Sequence, residues 1–516
     1  IESFMTLAPS HLLPSNGSKW SLYGLVFLLI CSTSACELFK PISQSNGNAN
    51  NGNDGEEPKE EELDPIQSRR VYDPETGTYV LVENAPTVEM DTINWRVQSE
   101  EIYQPIVEDG SGAYTPPPGT VTPGDANGDP VTQIGTGDYG SRKLSSYQID
   151  FLLPFLANRY NGIDQEIDPN SQWALHFYSG AQIALDELRA ENHNLRVFAQ
   201  DTEANQNRVG LQMRQPAFRE AQLIIGPYLG PNVTLAANAV RNREQVVVSP
   251  FAASPSLSET NENYIQVNPT LETHCREIMR HALNTQSADQ IYLVSGPSEE
   301  QQVPVDMLQR TYVELNNDPN IAPLPTFTLE ATENIDVEPY LAARKVVFIL
   351  PEYGNETLVS NFLRQIYNAT RDGFTQVAVY GLPQWKSFER IDLDYYEGCN
   401  VHISSSVFID NLQPATRAFR REFFDRFQVV PRDEAFLGYD MTLYFARMLR
   451  EYGTRFQYAL EREAEAMLHT EFRFEPVYLP QDDIDRLNNE RQVIDRWENR
   501  YVHILRFNRF QFNRVN

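Results

Sequence analysis

The chain has 516 residues, of which 42 are basic and 71 acidic, giving a formal net charge of −29. So large an acidic excess repels phosphate backbones and sets nucleic-acid binding aside. It keeps the molecule soluble and does not specify a ligand.

Near the start, Lys19 precedes an apolar run from Trp20 to Ile30, which leads into Thr33-Ser34-Ala35-Cys36. A positive flank, a run too short to span a bilayer and small residues before a cysteine are the features of an export signal. Residues 1–36 are therefore read as a signal peptide with a lipobox, although Thr33 stands where a leucine is usual. This resembles the processing site of bacterial lipoproteins, which implies that Cys36 becomes an acylated N-terminus and ties the protein to a membrane, the outer one being expected. Cys31 leaves with the signal. Cys275 and Cys399 then remain, either bridged in an oxidising periplasm or buried as free thiols.

Residues 37–143 read as a disordered tether. Asn and Gly dominate 46–54, an acidic run covers 56–62, and 114–130 is rich in Pro, Gly and Thr. Such segments bury too little apolar surface to offset the entropy of ordering. The island at 70–82 reads as a hairpin around Asp73-Pro74-Glu75-Thr76-Gly77. A two-stranded hairpin is marginal alone, so it either docks or moves.

The folded part begins near 144, with a first strand at 148–155. A helix follows, with Phe177, Ala181, Ala184, Leu185 and Leu188 on one face at helical spacing. Three short apolar strands come next: 195–199, running on to Asp201-Thr202; 221–225, stopped by Gly226-Pro227; and 245–248, running into Ser249-Pro250-Phe251-Ala252-Ala253-Ser254-Pro255. Continuous apolar runs of this length fit parallel strands buried on both faces. Strands and helices alternate to the end, the pattern of an α/β fold with parallel sheets, and the roughly 370 residues involved exceed one ordinary core. Two domains are expected.

The helix, the strand ending in Asp, the strand closing in Ile225-Gly226-Pro227 and the strand closing in the Ser249–Pro255 loop, in that order, resemble the type 1 periplasmic binding proteins. That family includes the branched-chain amino-acid receptors of ABC importers. The resemblance implies two Rossmann-like lobes joined by a hinge, with lobe 1 from 144–268 and 408–465 and lobe 2 from 269–407 and 466–516. In lobe 2 it includes a helix at 271–283 and strands at 290–294, 346–350 and 377–380, with the strands at 471–474 and 501–507 completing it.

A ligand in this fold sits between the lobes at the carboxyl ends of the strands. The expected contacts are Tyr228, Gly230, Phe251, Ala252, Ala253 and Ser254 from lobe 1 and Tyr353, Gln384 and Trp385 from lobe 2. They give aromatic walls and few charges. Amino-acid receptors of the family place hydroxyls and an acidic group at positions that correspond here to the loop at Leu229, to Ala253 and to Gln384. Losing charged hydrogen bonds of this kind costs about 1.5–3 kcal/mol each, so a classical amino-acid ligand is not expected.

Other patterns are set aside. Gly135-Thr136-Gly137-Asp138-Tyr139-Gly140 has the glycine spacing of a dinucleotide loop but no preceding strand. His274 and His281 flank Cys275 without a third ligand, so no metal is expected. No cofactor and no catalytic residue are expected, and no nucleophile or P-loop motif is present. Two readings follow. The first is a lipid-anchored solute receptor that captures a small molecule and hands it to a membrane permease or a sensor. The second is an envelope scaffold whose partner is another envelope protein, as in the outer-membrane lipoproteins that activate peptidoglycan synthases.

Overall fold

The computed structural model describes the strands at 68–73, 78–83 and 132–133 and, from residue 140 onward, all but 161–166, 259, 287–289, 330–335, 372 and 481–492. The signal peptide, Cys36, the glycine motif before Gly140 and most of the tether lie outside the described residues. The hairpin is present as β1 (Ser68–Asp73) paired antiparallel with β2 (Thr78–Glu83), with Tyr72 opposite Tyr79.

Two seven-stranded sheets organise the rest of the described residues. The first takes β3 (Tyr147–Leu153), then, after the helix α1 (Gln172–Ala190), β4 (Leu195–Asp201) and β5 (Leu223–Ile225). It continues through α2 (Gly230–Val240) to β6 (Val246–Ser249) and β7 (Tyr264–Gln266). The chain then crosses into the second sheet through α3 (Leu271–Thr285), β8 (Gln290–Ser295), α4 (Glu299–Asn316) and β9 (Thr326–Thr328). That sheet is extended by β10 (Lys345–Ile349), α5 (Glu356–Ala369), β11 (Gln376–Gly381) and β12 (Val401–Ser405). A second crossing returns the chain to α6 (Pro414–Phe427) and α7 (Asp433–Tyr452), which pack on α1. Next come β13 (Phe474–Tyr478) and β14 (Ile494–Asn499), and a third crossing leads to β15 (His503–Asn508) and β16 (Gln511–Arg514).

The strand orders are β13-β14-β7-β6-β5-β3-β4 and β9-β8-β10-β11-β12-β15-β16. All pairings from β14 to β4 and from β9 to β12 are parallel, and the last-added strands are antiparallel. The fold is therefore two α/β lobes with mostly parallel sheets.

Two expectations need correction. Residues 466–516 do not all enter the second lobe: β13 and β14 complete the first sheet, and Glu471–Phe472 pairs with Glu465–Ala466 in a two-stranded ribbon. The free edge of β7 accepts β14 in parallel, with Gln266 opposite Glu498, so the first sheet has to be finished before the third crossing. The strand at β4 is an edge and not a doubly buried strand, and Phe198 on it is 41% exposed. Its apolar run suits half-burial, which an apolar count does not distinguish from full burial.

The first lobe packs α1 and α7 on one face of its sheet, around Phe151, Phe177, Tyr444 and Phe445, and α2 on the other, around Ile224, Val247 and Tyr264. Asp150 lies in β3 and is almost wholly buried, with Gln148 Nε2 donating to its carboxylate at 3.0 Å. Burial pushes its pKa up to about 7, and the Gln148 hydrogen bond and the Arg196 charge offset only part of this. The unfolded chain would protonate it near 3.8. Between these values the native state binds the extra proton, so the stability Asp150 contributes is full below pH 3.8 and is lost as pH rises through 7. Asp150→Asn is expected to raise stability by on the order of 3 kcal/mol at pH 8 and to leave it nearly unchanged near pH 4. Urea midpoints at the two pH values check this; an equal shift at both would count against the assignment.

Candidate functional site

At the carboxyl edge of the first sheet, β5 ends in Gly226, whose φ of +105° and whose approach to the Leu152 carbonyl both require glycine. A Cβ there would lie 2.2 Å from Leu152 O. The turn delivers Tyr228 to the edge and starts α2 at Gly230, with no side-chain cap on that helix. The next strand, β6, leads to Phe251, whose ring stacks on Tyr228 at 4.6 Å between centroids and 28° between planes.

Trp173 joins them, 4.4 Å from the Tyr228 centroid and 6.4 Å from that of Phe251. It also stacks on Phe177, at 5.0 Å and 17°. The sequence reading missed Trp173 because it began the helix at Phe177; α1 starts at Gln172, and Trp173 lies one turn earlier on the same face. The i, i+4 spacing of the two rings was the available signal.

The other expected residues fall into different roles. Ala252 and Ala253 are each 7% exposed, and Ala252 packs into the core on the α2 side of the sheet. Ser254 turns back on its own segment, where its hydroxyl caps the short helix Pro255–Leu257. In the second lobe, Glu352 follows β10, and its carboxylate is occupied by the N–H groups of Gly354 and Asn355, at 2.8 and 2.9 Å, and by the Gln301 amide. Tyr353 beside it is half-buried.

After β11, both amide atoms of Gln384 are enclosed and make no hydrogen bond. Trp385, expected as a cleft wall, is instead the plug of the second-lobe core. It is fully buried, its indole covers Gly381, and its Nε1–H donates to Glu352 O at 2.6 Å. The aromatic character of that loop is real but is spent on folding.

The lobes are tied together at the crossings by a buried carboxylate. Glu498 on β14 accepts from the N–H and hydroxyl of Thr270 at 2.9 and 2.7 Å, from the Thr273 hydroxyl at 2.6 Å and from Arg496 at 3.1 Å. Thr270 caps α3, so this cluster joins the start of the first crossing helix to the strand that leads into the third crossing. At the second crossing, Phe408 N–H donates to His469 O at 2.8 Å, and His469 is held by the buried Asp440, which accepts from its backbone N–H at 2.8 Å.

Cys275 and Cys399 are separate free thiols, both buried. His274 is buried in the α3 face and kept neutral there, with burial lowering its pKa to about 4. His281 sits against the Tyr380 hydroxyl at 2.7 Å. Among the described residues no group of three or more His, Cys, Asp or Glu could hold a metal ion, and no helix is long and apolar enough to cross a membrane.

Two parallel-sheet lobes, crossed three times by the chain and presenting loops at their strand ends, have the architecture of the two-lobed binding proteins. A family model described as "Periplasmic binding protein" matches residues 169–482, more than half of the chain. The protein belongs to that family.

Among solved structures, a branched-chain amino acid ABC transporter protein of Rhodospirillum rubrum is 13% identical, aligns over 72% of this chain and 100% of its own, and superposes with a TM-score of 0.51. At that identity it shows the fold alone. A substrate-binding protein of Desulfitobacterium hafniense in complex with Leu gives 13%, 72%, 100% and 0.43 for the same quantities. Full-length LpoA of Haemophilus influenzae gives 13%, 73%, 60% and 0.47. No curated protein matches the chain.

Proposed function

We propose that this protein is a lipid-anchored, extracytoplasmic solute receptor that captures a small molecule between its lobes for uptake or sensing. Cys36 would carry the acyl anchor, in the outer membrane, and a permease or sensor would receive the loaded form. The observation that carries the reading is the ring-lined strand edge of the first lobe, built from Trp173, Tyr228 and Phe251 on loops of a fold whose family binds ligands there. Gly230, Ala252, Ala253 and Ser254 would frame this face, with Tyr353 and Gln384 opposing it. Capture would close the lobes by bending at the three crossings, driven by contacts made only in the shut state.

The rival reading is an envelope scaffold that keeps the fold and binds another envelope protein. Leu229 and Ala253 favour it, because they leave the positions of the amino-acid hydroxyls empty of polar atoms. Thermal unfolding of the full chain against amino acids, short peptides, sugars and muropeptides separates the two. A rise that grows with ligand concentration, as linkage requires, is the outcome expected of a receptor. A flat response across the panel would sink the receptor reading and favour the scaffold.

A further inference from the structure

We infer that the first-lobe face selects a neutral molecule with a flat ring face, such as a pyranose or a planar heterocycle, which would extend the ring stack. This rests on the reading that the cleft takes a ligand.

Phe177, Trp173, Tyr228 and Phe251 form a continuous series in which each ring contacts the next at 5.0, 4.4 and 4.6 Å. Phe177 is fully buried and fixes the inner end, whereas Trp173, Tyr228 and Phe251 each keep part of their surface exposed. Rings whose backs are held by other rings are rigid, so they offer a face at little entropic cost. Both the π face of a heterocycle and the C–H face of a sugar fit such a surface.

Charge supports neutrality. Neither the loop at 226–231 nor the segment at 249–258 contains an Asp, Glu, Lys or Arg. In the second lobe, the Glu352 carboxylate after β10 is already occupied by two backbone N–H groups and an amide. A ligand carboxylate or ammonium would find no countercharge in the two first-lobe loops to offset its desolvation. What the second lobe does offer is the Gln384 amide, a donor and an acceptor enclosed together and both unbonded. Were closure to bring this amide to the ligand edge, a hydroxyl or ring amide there would satisfy both.

The test is calorimetric titration of the full chain with adenosine, N-acetylglucosamine and leucine, repeated on Trp173→Leu and Trp173→Phe. Binding of either ring compound, weakened about tenfold or more by Trp173→Leu and restored by Trp173→Phe, is the expected result. Which of the two binds tells heterocycle from sugar. Gln384→Leu, at a site apart from the ring stack, should weaken the same compound and so separates recognition from misfolding of the Trp173 variant. Binding of leucine alone, indifferent to Trp173→Leu, would overturn the inference and leave ligand capture standing. Silence of all three probes overturns it as well, and only silence of the wider panel overturns capture itself.

Discussion

Replacing Gly438 by alanine is expected to destabilise the first lobe by about 3 kcal/mol, the upper part of the range for overpacking. Helices α1 and α7 cross at a pair of glycines that face each other's backbone. A Cβ on Gly438 would lie 1.9 Å from Phe177 O, and one on Gly180 would lie 1.8 Å from Ala435 O. Both obstacles are main-chain carbonyls in helices, so no side chain can swing aside and the helices themselves must part. That would open the core in which Phe177 and Tyr444 are buried. Helix propensity alone predicts the opposite sign, since alanine favours a helix over glycine by about 1 kcal/mol. Gly210, in the short helix Gln206–Gln212, has nothing within 4 Å of its Cβ position and serves as the control. Gly210→Ala should stabilise by roughly 0.5–1 kcal/mol. Urea midpoints for the two variants should move in opposite directions, and a stabilising Gly438→Ala would refute the close crossing.

Glu498→Ala is the second large effect, with an expected loss of about 3–5 kcal/mol, the usual consequence of stripping one partner from a buried ionic cluster. Burial alone pushes this carboxyl up. The Arg500 and Arg496 guanidiniums and the hydrogen bonds from Thr273 and Thr270 outweigh burial and hold it below the ordinary glutamate value of 4.5. The alanine variant would leave Arg496 buried without one of its two carboxylate partners, the other being Asp495, and would strip Thr270 and Thr273 of their acceptor. Because the native pKa is depressed, the stabilisation from Glu498 is present above pH 4.5 and is lost as pH falls through its native value. Glu498→Gln keeps a carbonyl acceptor without the charge, so it should fall between wild type and Glu498→Ala and should flatten the acid limb below pH 4.5. Equal urea midpoints for wild type and Glu498→Ala at pH 7 would show that the cluster does not hold the crossings.

Local pattern made much of this molecule legible. The helical spacing of Phe177, Ala181, Ala184 and Leu188, the glycine and proline stops after Ile225 and the alternation of strands and helices each depend on neighbours in the chain. They sufficed to show an α/β fold with parallel strands, and with the family resemblance they implied two lobes and brought Tyr228 and Phe251 to one edge. Start and stop signals for α1 were weaker, because no side chain caps it at Ser171, and the reading lost its first turn and Trp173 with it.

By itself, then, the sequence determined the class of fold, the acidic surface and the loops that carry the candidate site, because periodicity, charge and turn residues act over a few positions. Only the tertiary structure decided which sheet receives β13 and β14, since strand partners far apart in the chain are chosen by which edge is open. It alone showed that Trp385 is consumed by the core while Trp173 joins Tyr228 and Phe251 at the strand edge, because an aromatic residue reads the same in sequence whether its ring is covered or not. The reciprocal glycines of α1 and α7 and the threonine partners of Glu498 belong to the same category. They are contacts across more than two hundred positions, and their physical cause is packing and desolvation that no local pattern records.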